Sequence, residues 1–155
     1  MSALSVALLA LLLYTYGGYP LLVGLWARWA PFAPTLRGDF EPTVSICIAV
    51  HNGAGYLSQK LLSLQALDYP PERLEILLYS DGSTDLTEQL TKQLAISEPR
   101  LRLLVGKTRL GKPTGLNRLR AAATGEVLLM TDIRQTLAPQ ALRAILKPLS
   151  DPEIG

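Results

Sequence analysis

The sequence predicts an α/β protein, an open and mostly parallel sheet with helices on both faces, preceded by an N-terminal transmembrane helix. Two observations carry this prediction. From residue 43 onward, short apolar runs alternate with stretches of helical periodicity, and such alternation favours a parallel sheet. Residues 2–27 carry no charged side chain. The whole chain has a hydrophobic fraction of 48% and a mean hydropathy of +0.22. These values combine an apolar N-terminal segment with a remainder of ordinary globular composition.

The apolar start is long enough to form an uncleaved membrane anchor. About 20 apolar residues cross the roughly 30 Å hydrocarbon core of a bilayer, and the segment 2–27 exceeds that length. Gly17, Gly18 and Pro20 predict a kink or a break in this helix. A cleaved signal peptide is the alternative, but it would need a basic segment before a shorter apolar core.

Positive charge follows the apolar segment, and none precedes it. Arg28 and Arg37 therefore place the C-terminal side in the cytoplasm, at an inner or plasma membrane. Trp26 and Trp29 flank Arg28, as an interfacial aromatic belt would. We thus predict an anchor at 1–30, a Pro-rich linker at 31–42 and one α/β domain at 43–155.

The first half of the domain has clear local patterns. The continuous apolar run 44–50 is typical of a buried parallel strand, and Cys47 inside it is expected to be a small core residue. A single cysteine forms no internal disulfide, which favours a reducing compartment. Helical spacing predicts a helix at 56–67 before a second strand at 74–79. That spacing is carried by Leu57, Leu61, Leu62 and Leu64.

The second half repeats the alternation. A turn leads into a helix at 86–96, with Ser83 or Thr84 as its N-terminal cap. Pro139 fits the first turn of a last helix at 139–147. Between them we predict a strand at 101–105, a helix at 114–123 and a strand at 127–131.

Candidate ligand-binding positions follow from the predicted strands, because open α/β sheets bind ligands beyond the carboxyl ends of their strands. These positions are 51–53, 80–82, 106–107 and 132–134. The net charge of +2 is too small to predict a nucleic-acid partner. His51 has no second ligand at metal-binding spacing, so no metal site is expected there.

Asp81 begins the motif Asp-Gly-Ser-Thr-Asp between a strand and a helix. Its carboxylate can accept a hydrogen bond from a nucleobase N–H, while Gly82 permits close approach of backbone and ligand. A helix cap with an Asx-type turn also explains these residues. Both interpretations stay open at this point.

The segment 106–113 is a near match to the phosphate-binding pattern G-x-x-x-x-G-K-[ST]. The match fails at Pro113, which has no hydroxyl for Mg²⁺ and no backbone N–H. Lys107, Arg109 and Lys112 either approach a diphosphate or form a solvated basic loop.

Asp132 closes the fourth strand. A carboxylate there can ligate a hard cation that bridges a diphosphate, or it can cap the turn that follows. Arg134 is unusual at a cation site and can instead bind a phosphate directly.

Four segments, taken together and in order, carry a family resemblance. They are Val-Ser-Ile-Cys-Ile-Ala-Val-His-Asn at 44–52, Glu-Ile-Leu-Leu-Tyr-Ser-Asp-Gly-Ser-Thr-Asp at 75–85, Gly-Lys-Pro-Thr-Gly-Leu-Asn at 111–117 and Gly-Glu-Val-Leu-Leu-Met-Thr-Asp at 125–132. In these segments the chain resembles the family 2 glycosyltransferases, which have the GT-A (Rossmann-like) fold. The resemblance implies transfer of a sugar from a nucleotide-diphosphate sugar, usually a UDP-sugar, to a glycan or lipid acceptor.

The resemblance also assigns roles by position. The implied donor-binding residues are Ala49, Val50 and Asn52 in the nucleotide pocket, Asp81 at the base, and Lys112, Asn117 and Asp132 at the diphosphate. Asp132 corresponds to the first acid of the family's D-x-D motif, which implies Mg²⁺ or Mn²⁺ as cofactor.

Three positions depart from the family pattern. The usual glutamate after Asn52 is Gly53, and the usual acid before Asp81 is Ser80. These changes predict base recognition that differs from the UDP pattern. Arg134 replaces the second acid of the D-x-D motif, which leaves metal dependence open and makes Arg134 itself a candidate ligand of the diphosphate.

By the same resemblance, the acceptor-binding half and its general base lie beyond Gly155, so the chain is expected to be an incomplete domain with little activity alone. Two alternatives remain at this stage. One is a membrane-tethered nucleotide-binding remnant without activity. The other is a nucleotidyltransferase, which usually carries a basic Gly-rich loop after its first strand.

Overall fold

The computed structural model describes residues 2–30, 40–152 and 154. The chain divides into two compact units, Met1–Thr35 and Leu36–Gly155, and each is described by itself. The predicted linker at 31–42 falls mainly on residues 31–39, which lie outside the described residues. Its last part is attached to the second unit, because the carbonyl of Pro42 accepts a hydrogen bond of 2.6 Å from the buried Tyr69 hydroxyl.

The first unit contains a helix of 27 residues, Ala3–Trp29, whose length and apolar composition suffice to cross a membrane. It consists of α1 (Ala3–Leu13), a π-helical turn (Tyr14–Gly18) and α2 (Tyr19–Trp29). The π-helical turn lies where the glycine pair predicted a kink. The helix is thus widened there rather than broken, and hydrogen bonding continues through Tyr19.

The second unit is built on a four-stranded sheet in which every pairing is parallel. The strands are β1 (Val44–Val50), β2 (Leu74–Asp81), β3 (Leu101–Gly106) and β4 (Val127–Met130). Their order in the sheet is β3-β2-β1-β4. The predicted open parallel sheet is therefore confirmed.

Among residues 40–152, four helices connect or follow the strands: α3 (Leu57–Gln65), α4 (Thr87–Ser97), α5 (Lys112–Ala122) and α6 (Ala141–Leu146). Short 3₁₀ turns lie at Ala54–Tyr56, Pro71–Arg73 and Lys147–Ser150. One detail of the prediction is wrong, because Pro139 precedes α6 instead of lying in its first turn. The predicted helix at 56–67 is confirmed as α3, in which Leu57, Leu61 and Leu64 are buried and Leu62 is 66% exposed.

The core has two faces because successive residues of a strand point to opposite sides of a sheet. Ile46 and Ile48 of β1 pack on one side with leucines of α3 and α6, whereas Cys47 and Ala49 pack on the other with Leu119 of α5. Helices on both faces are thereby confirmed. Cys47 is fully buried, as expected, and burial raises the pKa of its thiol to about 11.

The start of α4 differs from the predicted capping by Ser83 or Thr84. The Asp85 carboxylate accepts the backbone N–H of Thr87 at 3.0 Å and that of Ala54 at 3.1 Å. Asp85, one residue before the N-cap Leu86, therefore satisfies the first N–H of the helix and also fixes the segment after β1. Ser83 and Thr84 instead bond to Asn52, so they join the two loops that follow β1 and β2.

Candidate donor-binding site at the carboxyl edge

The strand order reverses between β1 and β4, since β2 and β3 lie on one side of β1 and β4 on the other. Such a switch point separates the loops that leave neighbouring strands and opens a crevice at the carboxyl edge of the sheet. Two adjoining clefts lie at this edge. Lys112, at the start of α5, lines both of them.

The first cleft, called here the Asp81 cleft, has a volume of about 170 Å³. It is lined by Ala49, Val50, His51, Asp81, Arg109, Gly111 and Lys112. The resemblance assigns Ala49, Val50 and Asp81 to the nucleotide. The structure brings these three residues together in one cleft. Lys107 is not among the lining residues.

Asp81 organises the loop that forms one wall of this cleft. Its two carboxylate oxygens accept the backbone N–H groups of Leu110 and Gly111, each at 2.8 Å. The residue is only 4% exposed, and each carboxylate oxygen keeps a second acceptor position. Asp81 thus anchors the basic loop and is also a candidate contact for the nucleobase. Its position in the motif did not predict the anchoring role.

Gly82 permits the loop to approach. Its φ of +61° lies in the left-handed region, and a Cβ there would be 2.7 Å from the backbone nitrogen of Arg109. The backbone N–H of Gly82 also donates to the carbonyl of Gly106 at 3.0 Å. No larger residue fits without displacing the loop 107–111.

His51 and Asn52 connect the ends of β1 and β2. The carbonyl of Asp81 can only accept, so His51 Nδ1, at 2.9 Å, carries the proton and donates. Asn52 has a φ of +54°, and its Oδ1 accepts the Thr84 N–H at 2.8 Å. Asn52 is exposed and lies outside the lining of the Asp81 cleft, so its assigned role in the nucleotide pocket stays a prediction.

The second cleft, called here the Asp132 cleft, has a volume of about 440 Å³. It is lined by Lys112, Leu116, Met130, Thr131, Asp132, Arg134 and Gln135. Three residues that the sequence singled out, Lys112, Asp132 and Arg134, meet here. Asn117 is exposed on α5 and lines neither cleft, so its predicted position near the diphosphate gains no support from the geometry.

Asp132 is surrounded by donors. One oxygen accepts the Arg134 backbone N–H at 3.0 Å, and the other accepts from Lys112 Nζ at 3.3 Å. The Arg134 N–H lowers the pKa of the Asp132 carboxyl, partial burial opposes this, and Lys112 lowers it further. The carboxylate is therefore ionised at neutral pH. Its charge is partly compensated by the lysine.

Lys60 supports this cleft from within the core, and no motif identified it. The residue is 2% exposed, and its ammonium donates to Thr131 Oγ1 at 2.9 Å and to the Gln135 carbonyl at 2.6 Å. Burial lowers the pKa of Lys60 to about 8, although the negative charge of Asp132 acts in the opposite direction. Lys60 thus ties together the segment 131–135 that carries Asp132 and Arg134.

Replacing Lys60 by Met is expected to flatten the pH dependence of stability. Between about pH 8 and 10.5 the unfolded chain holds the Lys60 proton while the folded chain has lost it, so this residue makes stability rise with pH there. A shift of this size corresponds to roughly 3 kcal/mol at full titration. Urea unfolding of both proteins across that window measures the difference, and equal pH slopes would contradict the burial of this charge.

A third cleft lies at the opposite, amino edge of the sheet, with a volume of about 130 Å³. Its central carboxylate is already satisfied. Glu75 Oε1 accepts hydrogen bonds from Thr124 N at 2.6 Å and from Thr124 Oγ1 at 2.8 Å, and Gly125 N donates to it at 3.3 Å. These bonds fix the turn before β4, so the amino-edge cleft is structural in character.

The side chains at the Asp132 cleft do not make a divalent-cation site on their own. In near-octahedral geometry, Mg²⁺ keeps several waters and is bound by one or two carboxylates together with phosphates of the substrate. The cleft offers one carboxylate, Asp132, which already has the Lys112 ammonium at 3.3 Å, and Arg134 stands where a second acid would complete the motif. Within residues 2–30, 40–152 and 154, no group of three or more His, Cys, Asp or Glu side chains could hold a metal ion. The implied Mg²⁺ or Mn²⁺ stays a prediction that these residues do not support.

Known proteins share this fold and these segments. Residues 45–155 match the sequence model of glycosyl transferase family 2. The beta-monoglucosyldiacylglycerol synthase of Synechocystis sp. is 28% identical over 129 residues, which are 79% of this chain and 27% of that protein. The probable glycosyltransferase YdaM of Bacillus subtilis is 28% identical over 115 residues, 72% of this chain and 27% of the relative.

Solved structures agree with the sequence relatives. The mannosyltransferase PcManGT of Pyrobaculum calidifontis, in complex with GDP-Man and Mn²⁺, superposes with a TM-score of 0.79 at 30% identity, over 94% of this chain and 44% of that one. TarS 1–349 of S. aureus in complex with UDP-GlcNAc gives a TM-score of 0.61 at 25% identity, over 66% of this chain and 30% of that one. The chain spans less than half the length of each of these four proteins.

The fold is therefore the GT-A type of α/β sheet that the sequence predicted. The chain belongs to glycosyl transferase family 2.

Proposed function

We propose that the carboxyl edge of the sheet binds the donor of a membrane-anchored glycosyltransferase, a nucleotide-diphosphate sugar. The observation that carries the proposal is the shared position of Lys112, which lines the cleft of Asp81 and the cleft of Asp132. A nucleoside in the first cleft would lead its diphosphate past Lys112 into the second. Two clefts that share Lys112 thus provide separate places for the two ends of such a ligand.

The chemistry needs positive charge at this place. In sugar transfer, an acceptor oxygen forms a bond to the anomeric carbon while the bond from that carbon to the diphosphate oxygen breaks. The nucleoside diphosphate leaves with the electron pair, and a base takes the acceptor proton. Lys112 and Arg134 would stabilise the negative charge that develops on the leaving diphosphate, which lowers the barrier.

The nucleobase of the donor is a separate assignment from the class of donor. One solved relative holds GDP-Man and another holds UDP-GlcNAc, so the comparisons support nucleotide sugars as a class. Uracil and guanine both present an N–H donor, and we assign the Asp81 carboxylate as the hydrogen-bond acceptor of that N–H. We propose a UDP-sugar as donor, with GDP-mannose as the alternative to be tested beside it.

The N-terminal helix supports a membrane-associated role. We propose that Ala3–Trp29 anchors the enzyme in an inner or plasma membrane, with the sheet in the cytoplasm because Arg28 and Arg37 follow the helix. A lipid or a membrane-bound glycan is the acceptor that suits such an anchor. One relative is named as a synthase of a glucosylated diacylglycerol, which supports the same class.

Calorimetric titration of the full chain in detergent micelles tests donor binding. We expect at least one of UDP-glucose, UDP-N-acetylglucosamine and GDP-mannose to bind. The matching nucleoside diphosphate should displace it. Lys112→Ala should weaken that binding about tenfold, the scale of one charge-assisted contact. Lys92→Ala removes an exposed lysine of α4 and is the matched control. Binding of UTP or ATP in place of every nucleotide sugar would favour the nucleotidyltransferase alternative and end this proposal.

A further inference from the structure

The Asp132 cleft presents two cations and one acid to a ligand, where the family pattern presents two acids. Arg134 occupies the position of the second acid, and Lys112 reaches across the cleft mouth to Asp132. We propose that Lys112 and Arg134 hold the donor diphosphate without a divalent cation, and that the guanidinium of Arg134 takes the place of the ion. This inference rests on the proposed function, because it concerns how the same donor is held.

The Arg134 side chain is available and pre-oriented. It is exposed at the cleft, and its guanidinium carbon lies 5.5 Å from the centre of the Tyr56 ring. Such a cation–π contact restricts the side chain without using its N–H groups. The fork of N–H donors on a guanidinium matches two oxygens of a phosphate, so a stacked Arg134 needs little further ordering to bind one.

Lys112 supplies the second charge from the start of α5. Its ammonium lies 3.3 Å from Asp132 Oδ2 and uses one of its three donors there. Lys112 also lines the Asp81 cleft, so a ligand that occupies both clefts lies beside this side chain. The two cations therefore lie on the route that a diphosphate would follow.

Asp132 then has a different task from that of a metal ligand. A lone carboxylate beside a diphosphate repels it, unless its charge is compensated. Here Lys112 and the Arg134 N–H compensate it, and in return Asp132 positions both cationic residues. We assign Asp132 as a positioning residue, held in turn by the segment that Lys60 fixes from below.

The test compares binding of UDP and GDP to the full chain in excess EDTA and in Mn²⁺. The parent protein should bind the preferred nucleotide with the same affinity in both. Arg134→Ala should weaken binding about tenfold in both buffers, and Arg134→Lys should restore part of it. Arg120→Ala removes an exposed arginine from α5 and should leave the affinity unchanged.

Arg134→Asp provides the sharpest variant, because it restores two acids at D-x-D spacing. Its binding should become dependent on Mn²⁺. Loss of parent binding in EDTA, or an Arg134→Ala protein that binds like the parent, would overturn the inference while leaving the donor site intact. Absence of nucleotide binding in both buffers would instead overturn the proposed function. Thermal unfolding of each variant verifies that the fold is retained.

Discussion

Replacement of Asp81 by Asn is expected to weaken nucleotide-sugar binding by about tenfold or more and to lower the free energy of unfolding by about 2 kcal/mol. The parent carboxylate accepts one backbone N–H on each oxygen, from Leu110 and Gly111. An amide in the same position turns one acceptor into a donor that opposes a backbone N–H. The basic loop then loses an anchor, and the base loses a charged acceptor.

Calorimetry for binding and urea unfolding for stability measure the two effects. Asp68→Asn is the matched control, because Asp68 is exposed and its ion pair with Arg143 is a surface contact of little energetic value. Both proteins lose one carboxylate, so a general charge effect would appear in both. If Asp81→Asn kept the parent affinity while folded, the assignment of Asp81 to the donor site would be wrong.

The Gly82→Ala variant is expected to lose roughly 2–4 kcal/mol of stability, together with most of its donor affinity. An alanine at φ +61° is strained, and its Cβ would lie 2.7 Å from the Arg109 nitrogen and 2.8 Å from the Thr108 carbonyl carbon. Both contacts are to backbone, so no side chain can rotate away. The loop itself must move, and with it the wall of the Asp81 cleft.

Gly55→Ala separates this effect from the general cost of replacing a glycine. A Cβ on Gly55 meets nothing within 4 Å. Its variant should unfold and bind like the parent. Equal stability of the two variants would show that the loop tolerates displacement. The close approach at Gly82 would then not be required for stability.

The fold was predictable because each element has a strong local pattern. Continuous apolar runs occur in strands buried on both faces, and all seven residues of β1 are buried. Alternation with helices then determines a parallel sheet. The strand order was not predictable from these patterns, since it depends on which face each crossover covers.

The candidate site was predictable in part. The strand-end rule located Asp81, Asp132 and Arg134, because carboxyl ends of parallel strands meet at one edge. It could not locate Lys60, since a lysine among leucines in a helix normally lies at the surface and only the packing of α3 buries it. Nor could it predict that Asp81 bonds to the loop after β3, a contact across 29 residues.

The local errors have a common cause. Ser83, Thr84 and Asp85 are all suitable helix caps by residue type, and only the tertiary contact with Asn52 determines which one is used. Pro139 is likewise compatible with a first turn, but its carbonyl instead accepts the Asp68 N–H at 2.9 Å. Single-residue preferences cannot distinguish these outcomes.

Amide hydrogen exchange on the full chain in micelles, with and without the nucleotide sugar that binds best, tests the central claim most directly. The claim is that the loops after β1, β2, β3 and β4 converge on one ligand. Protection should appear in 50–54, 81–85, 107–112 and 131–135 together. Protection confined to the amino edge, at 72–75 and 124–125, would contradict it.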